Sequence, residues 1–96
     1  MRFEWDENKN NANHQKHGVW FDEAQTIWAD EASREFFDPE HSDEEDRFVR
    51  IGFSSKNRLL LIVFCERQEE SKEVLIRIIS ARKATTEEQK QYEKGI

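Results

Sequence analysis

The segment that most limits the fold is "RLLLIVFCE" (residues 58–66), apolar at every position from 59 to 65. A strand with one wet face alternates apolar and polar residues. An unbroken apolar run bounded by charge instead fits a central strand covered on both faces. Its neighbours read as partners for it. "RFVRIGFS" (47–54) alternates, with Val49, Ile51 and Phe53 on one face and Phe48 and Arg50 on the other, and "SKN" (55–57) turns the pair into a hairpin. "RQEESKE" (67–73) is the next turn and "VLIRIIS" (74–80) the last strand. "RFEW" (2–5) reads as a short opening strand, and "SREFFD" (33–38) as another, ended by Pro39 ahead of a polar loop over 39–46.

The helices flank these strands. Asp6 caps a helix that Gly18 stops, and between them the only apolar residue is Ala12. A short helix is ordinarily held by an apolar stripe, and this one has none. The aromatics and Val on either side, Phe3, Trp5, Val19, Trp20 and Phe21, are therefore expected to pin its ends to the sheet. A second helix from Asp22 to about Ala29 carries Ala24, Ile27 and Trp28 at amphipathic spacing. "TTEEQKQYEKG" (85–95) has a capping box, Thr85 with Glu88, and a terminal Gly stop. The fold class that follows is α+β: one domain over 1–96, an antiparallel β-sheet with two N-terminal helices and one C-terminal helix.

Composition decides whether such a chain folds at all. Mean hydropathy is −1.01 and 38% of residues are charged, values that lean toward disorder. Leu, Ile, Val and Phe nevertheless make up 22 of 96 residues, above the level of about 20% below which disorder is expected, and they are clustered. No run approaches the roughly 20 apolar residues of a membrane span, and no signal peptide opens the chain. The lone Cys65 cannot form an internal disulfide. A cytoplasmic location is expected. Net charge is −6, but nine carboxylates fall between 30 and 46 against Arg34 alone, whereas residues 76–94 carry a net +2. A local basic surface survives in an acidic protein.

Several residues are candidates for chemistry. By helical spacing Lys9, Asn13, Lys16 and His17 share one face, which suits a phosphodiester and a proton-transfer group, although a solvated polar face is the commoner meaning of such spacing. Arg77 stands inside an apolar strand, on a face with Leu75, Ile79 and Ala81. It calls either for a carboxylate partner or for a phosphate. Arg82 and Lys83 stand where the sheet gives way to the last helix, and Arg47 opens a strand behind four acids. Tyr92 reads as packing rather than base stacking, and Cys65 as a buried structural thiol. His14, His17 and His41 form no zinc-type cluster, so no metal and no cofactor is expected.

The stretches "FEWDENKNNANHQKHGVWFDEAQTIW", "DRFVRIGFS", "LLLIVFCER" and "IRIISARKATTEEQKQYEKG" resemble the BrnT toxins of bacterial type II toxin-antitoxin systems, "KHGVWF" and "RIISARKA" being the specific parts. The resemblance implies a RelE-like fold and an RNA-cleaving toxin that arrests translation. It also implies a BrnA-like ribbon-helix-helix antitoxin, assembled with the toxin as a heterotetramer, through which alone operator DNA is bound. By motif position it carries over Lys9, Asn13, His17, Arg47, Arg77, Arg82 and Lys83. Two departures stand out: the acidic net charge and a longer, more acidic turn around "RQEESKEV".

Residues and resemblance together predict a metal-independent endoribonuclease using the RNA 2′-hydroxyl as nucleophile. His17, Arg77 and Arg82 are its expected catalytic residues, and Lys9, Asn13, Arg47 and Lys83 its expected RNA contacts. The other class is a non-catalytic module that binds the antitoxin or the ribosome, its acidic loop over 38–46 pairing with a basic partner segment.

Overall fold

The computed structural model describes residues 1–38 and 45–95. Most of the expected acidic loop, with His41, lies outside the described residues. The elements are β1 (Arg2–Glu4), α1 (Glu7–His17), α2 (Phe21–Ala24) running on into a 3-10 helix (Gln25–Ala29), β2 (Arg34–Asp38), β3 (Arg47–Phe53), β4 (Leu59–Gln68), β5 (Val74–Lys83) and α3 (Thr86–Lys94). The five strands form one sheet in the order β1-β5-β4-β3-β2, with the apolar run in its centre as β4.

The sheet is mixed rather than wholly antiparallel. β2, β3, β4 and β5 pair antiparallel in sequence, but β1 runs parallel to β5, with Phe3 opposite Ile76. No short turn joins β1 to β5, so hairpin geometry does not dictate their direction. β1 covers β5 only at 75–77, and the chain then continues into α1, whose Asn13 meets Ala81 further along the same strand.

The core lies on one face of the sheet. Val19, Phe21, Ala24 and Ile27 of the helical layer pack on Leu60, Ile62 and Phe64 of β4 and on Ile76, Ile78 and Ala81 of β5. Each large side chain buried this way contributes about 1.5–3 kcal/mol. Gly52 of β3 lies under the helical layer: a Cβ there would stand 2.7 Å from that of Ser33, so no larger residue fits without displacing the chain.

Helix α1 starts and stops as expected, Asp6 accepting from the Asn8 and Lys9 amides and Gly18 taking φ 71°. Its middle does not behave as expected. Asn10 and Asn13 are buried, 5% and 7% exposed. The Asn10 side-chain carbonyl accepts from the Phe21 amide at 2.8 Å. Asn13 donates to the carbonyls of Val19 (2.9 Å) and Ala81 (2.8 Å) and accepts from the Ala81 amide at 3.0 Å. The helix is thus docked by two amides in place of an apolar stripe. Of the flanking residues expected to pin it, Val19 and Phe21 are buried and Trp5 packs on Phe21, whereas Trp20 stays 40% exposed.

Candidate functional site

The second face of the sheet carries the arginines, and a bulge decides which of them share it. Phe64 pairs with Ile78 but Val63 with Ser80, so Ile79 is an extra residue in β5. Strict alternation would set Arg77 and Arg82 on opposite faces. The inserted residue flips the remainder of the strand, and Arg77, Ser80 and Arg82 come to lie opposite Cys65, Val63 and Leu61, three residues of one face. Arg47, opposite Cys65 on the other side, completes a row with Arg77 across the central strand.

The two β5 arginines differ in state. Arg77 is 49% exposed and lies 3.9 Å from the Glu45 carboxylate, itself half exposed. Such a pair contributes little and exchanges freely with another anion. The expectation of a charge buried in an apolar strand is corrected here, because Arg77 points out of the sheet. Arg82 instead forks onto Glu88 through two hydrogen bonds of 2.8 and 2.9 Å. Glu88 also accepts from the Thr85 amide, which closes the capping box of α3. The Arg82 hydrogen bonds hold the Glu88 carboxyl down at about 2. Opposite Cys65 and Leu61, the two arginines start roughly 13 Å apart at about 3.3 Å per residue, so they do not share one phosphate. Between Arg47 and Arg77 the Cys65 thiol is pushed up by burial, in keeping with a structural role.

Asn13 requires a correction. Expected on a free face with Lys9, Lys16 and His17, it points inward. Both amide hydrogens and its carbonyl are engaged with main chain, leaving no donor for RNA. Lys9 and Lys16 are exposed and His17 half-buried. Among the described residues the His17 ring makes no hydrogen bond, ion pair or ring contact.

The fold brings His17 and Lys83 to the same end of the molecule. Asn13 is tied to Ala81, the guanidinium of Arg58 at the head of β4 donates to the Gly18 carbonyl (3.1 Å), and Leu60 pairs with Lys83. The far end of α1, the 54–58 turn and the end of β5 therefore stand at one end of the molecule, with Lys16, His17, Lys56, Arg58 and Lys83, while Arg82 turns to the other face. Lys9 lies two turns back toward β1. Sequence reasoning passed over Arg58 and the residue that fixes it. Buried Glu23 accepts from Arg58 Nε (2.8 Å) and from the Ser54 hydroxyl (2.7 Å), and the Arg58 hydrogen bonds hold its carboxyl below the usual carboxylate range. Glu23 follows Asp22 in the first turn of α2, where acids are ordinary, so no sequence signal set it apart. Among the described residues no three His, Cys, Asp or Glu side chains gather as a metal site, and no helix is long and apolar enough to cross a membrane.

A mixed sheet with α1 and α2 on one face, and α3 beside a row of arginines on the other, defines a small α+β domain that turns cations to solvent. Residues 5–88 match the family described as ribonuclease toxin, BrnT, of type II toxin-antitoxin systems, and the chain belongs to that family. Membership implies an antitoxin partner. The crystal structure of the Brucella abortus ribonuclease toxin BrnT is similar, with a TM-score of 0.63 and 25% identity, over 90% of this chain and 99% of that one. No curated protein matches the sequence.

Proposed function

We propose that the chain is a metal-independent endoribonuclease that cleaves RNA, arrests translation in the bacterial cytoplasm, and is neutralised by a BrnA-like ribbon-helix-helix antitoxin within a heterotetramer. The observation that carries the reading is the Ile79 bulge, which gathers Arg77 and Arg82 on one face beside Arg47. RNA supplies its own nucleophile. The 2′-hydroxyl loses its proton to a base and bonds to the adjacent phosphorus. The bond from phosphorus to the 5′-oxygen breaks, and an acid returns a proton to that oxygen, leaving a 2′,3′-cyclic phosphate and a 5′-hydroxyl. The protein has only to place the strand and balance charge.

Arg77, loosely held by Glu45, takes the scissile phosphate. Arg82, bound by Glu88, shapes the end of the site rather than receiving the phosphate. His17 stands at the Lys83 end, several residues of strand from Arg77, out of hydrogen-bond reach of the phosphate that Arg77 holds, and with Lys83, Lys9 and Arg47 it guides the backbone. Operator DNA is reached only through the antitoxin. Purified protein should cleave RNA in excess EDTA. Activity that vanishes and returns with Mg²⁺ would overturn the mechanism. Arg77→Ala should lower cleavage at least about a hundredfold, a phosphate clamp being among the larger single contributions to such a rate, while antitoxin binding and the melting temperature stay as they were. Arg82→Ala should instead lower the melting temperature.

The carboxylate partners of both arginines favour one alternative, a module that blocks the ribosome or binds the antitoxin without chemistry. Sequencing cellular RNA ends after expression separates the two: new clustered 5′ ends mean an enzyme, and growth arrest without them a blocker.

A further inference from the structure

Three tryptophans are present, and two are used by the fold. Trp5 packs on Phe21 and its indole N–H donates to Glu7 at 2.7 Å, while Trp28 sits between Phe3 and Phe64 under Arg50. Trp20 is different. It precedes α2, is 40% exposed, and lies flat on the His14 ring, centroids 3.8 Å apart and planes within 6°. Its indole N–H has no hydrogen-bond partner among the described residues. The ring also lines an open cleft of about 310 Å³ with Asp22, Glu23, Ser55 and Lys56. An exposed indole held in a fixed plane by a second ring is costly to leave in water and is ready to stack.

We infer that Trp20, backed by His14, is a stacking platform for an unpaired base of single-stranded RNA, and that its cleft is a nucleotide subsite away from the Arg77 row. The surroundings fit a nucleotide. Lys56 lines the cleft with the ring and can meet a phosphate, and Lys16, Lys83 and Arg58 stand at the same end of the molecule. Of the two carboxylates in the cleft, Glu23 is spent on Arg58 and Ser54. Asp22 is left as an acceptor for the exocyclic amino group that adenine, cytosine and guanine carry. The cleft volume matches the lower range for small-ligand sites, roughly 300–1,000 Å³. This inference deepens the ribonuclease reading and rests on it for its biological meaning, but its test needs no cleavage.

The probe is a fluorescent single-stranded 2′-O-methyl oligoadenosine, which binds but lacks the nucleophile and cannot be cut. Trp20→Ala should weaken its binding about tenfold, the size of one lost base stack. Trp20→Phe should restore most of it, and an abasic version of the strand should bind wild type and Trp20→Ala alike. Equal affinity of folded Trp20→Ala and wild type for the oligoadenosine would overturn the platform. So would a Trp20→Ala variant that loses the antitoxin while keeping the RNA, since Trp20 would then anchor a protein. A wild type that binds through Trp20 yet cleaves no RNA would sink the enzyme and leave the platform standing. A cleaving wild type indifferent to Trp20→Ala would do the reverse.

Discussion

At the scale of single residues, Asn13 carries the most. Its amide pairs with the Ala81 main chain much as a neighbouring strand would, and with the Val19 carbonyl besides. Removing it leaves buried main-chain groups unpaired at about 1–3 kcal/mol each. Asn13→Ala should therefore lower unfolding free energy by at least about 3 kcal/mol in denaturant melts. Asn13→Asp should be no better, because a carboxylate faces two carbonyls it cannot donate to. The caps around this residue were legible in the sequence, since Asp6, Gly18 and the Thr85/Glu88 pair each act through chemistry local to the chain. Asn13 was not. Helical spacing says which residues are neighbours on a helix but not which way the helix is turned, and an amide between lysines looks like surface until its partners are known.

At the scale of elements, the strands and helices came out near their expected places because periodicity and turn residues are local signals. The direction of β1 and the Ile79 bulge were not readable, since each is set by a partner strand distant in sequence. The bulge matters most, for it moves Arg82 to the face of Arg77. Helix α3 shows how lightly an element can be attached. None of its residues is buried. It is held by Glu88 on Arg82 and by Tyr92, whose hydroxyl donates to Asp30 at 2.7 Å and whose ring meets Phe53 edge-on. Both holds titrate. The Glu88 carboxyl, at about 2 against an ordinary 4.5, adds stability above about pH 4.5 that is lost as pH falls toward 2. Glu88→Gln should abolish that part of the acid dependence of the melting temperature. Tyr92, pushed up to about 12 by burial and then by Asp30, adds stability that is whole below its ordinary value of 10.0 and lost as pH rises through 12. It is the only tyrosine in the chain, so ultraviolet titration reads it directly, and Asp30→Asn should bring the transition part of the way back toward 10.0.

At the scale of the whole molecule, net charge misleads. The protein is acidic, yet Lys16, Lys56, Arg58 and Lys83 stand at one end from three separate stretches of sequence. Counting charge by segment could not find that end, because it is assembled by α1 lying along β5. RNA touching it meets only a few cations at once. With about 0.7 counterions released per phosphate on a single strand, the slope of log affinity against log salt should be no steeper than about −3. A much steeper slope would mean a wider footprint than these residues provide.

The same placement of α1 governs how copies of the protein can join. On the β5 side the sheet ends in three residues of β1 and then a helix, with the Ala81 main chain already satisfied. On the other side β2 has no further strand beside it among the described residues, and Phe36 and Phe37 stand out from it half exposed. Two copies meeting strand to strand can do so there, and each then turns its stopped flank outward. Pairing through β2 alone would therefore stop at two copies.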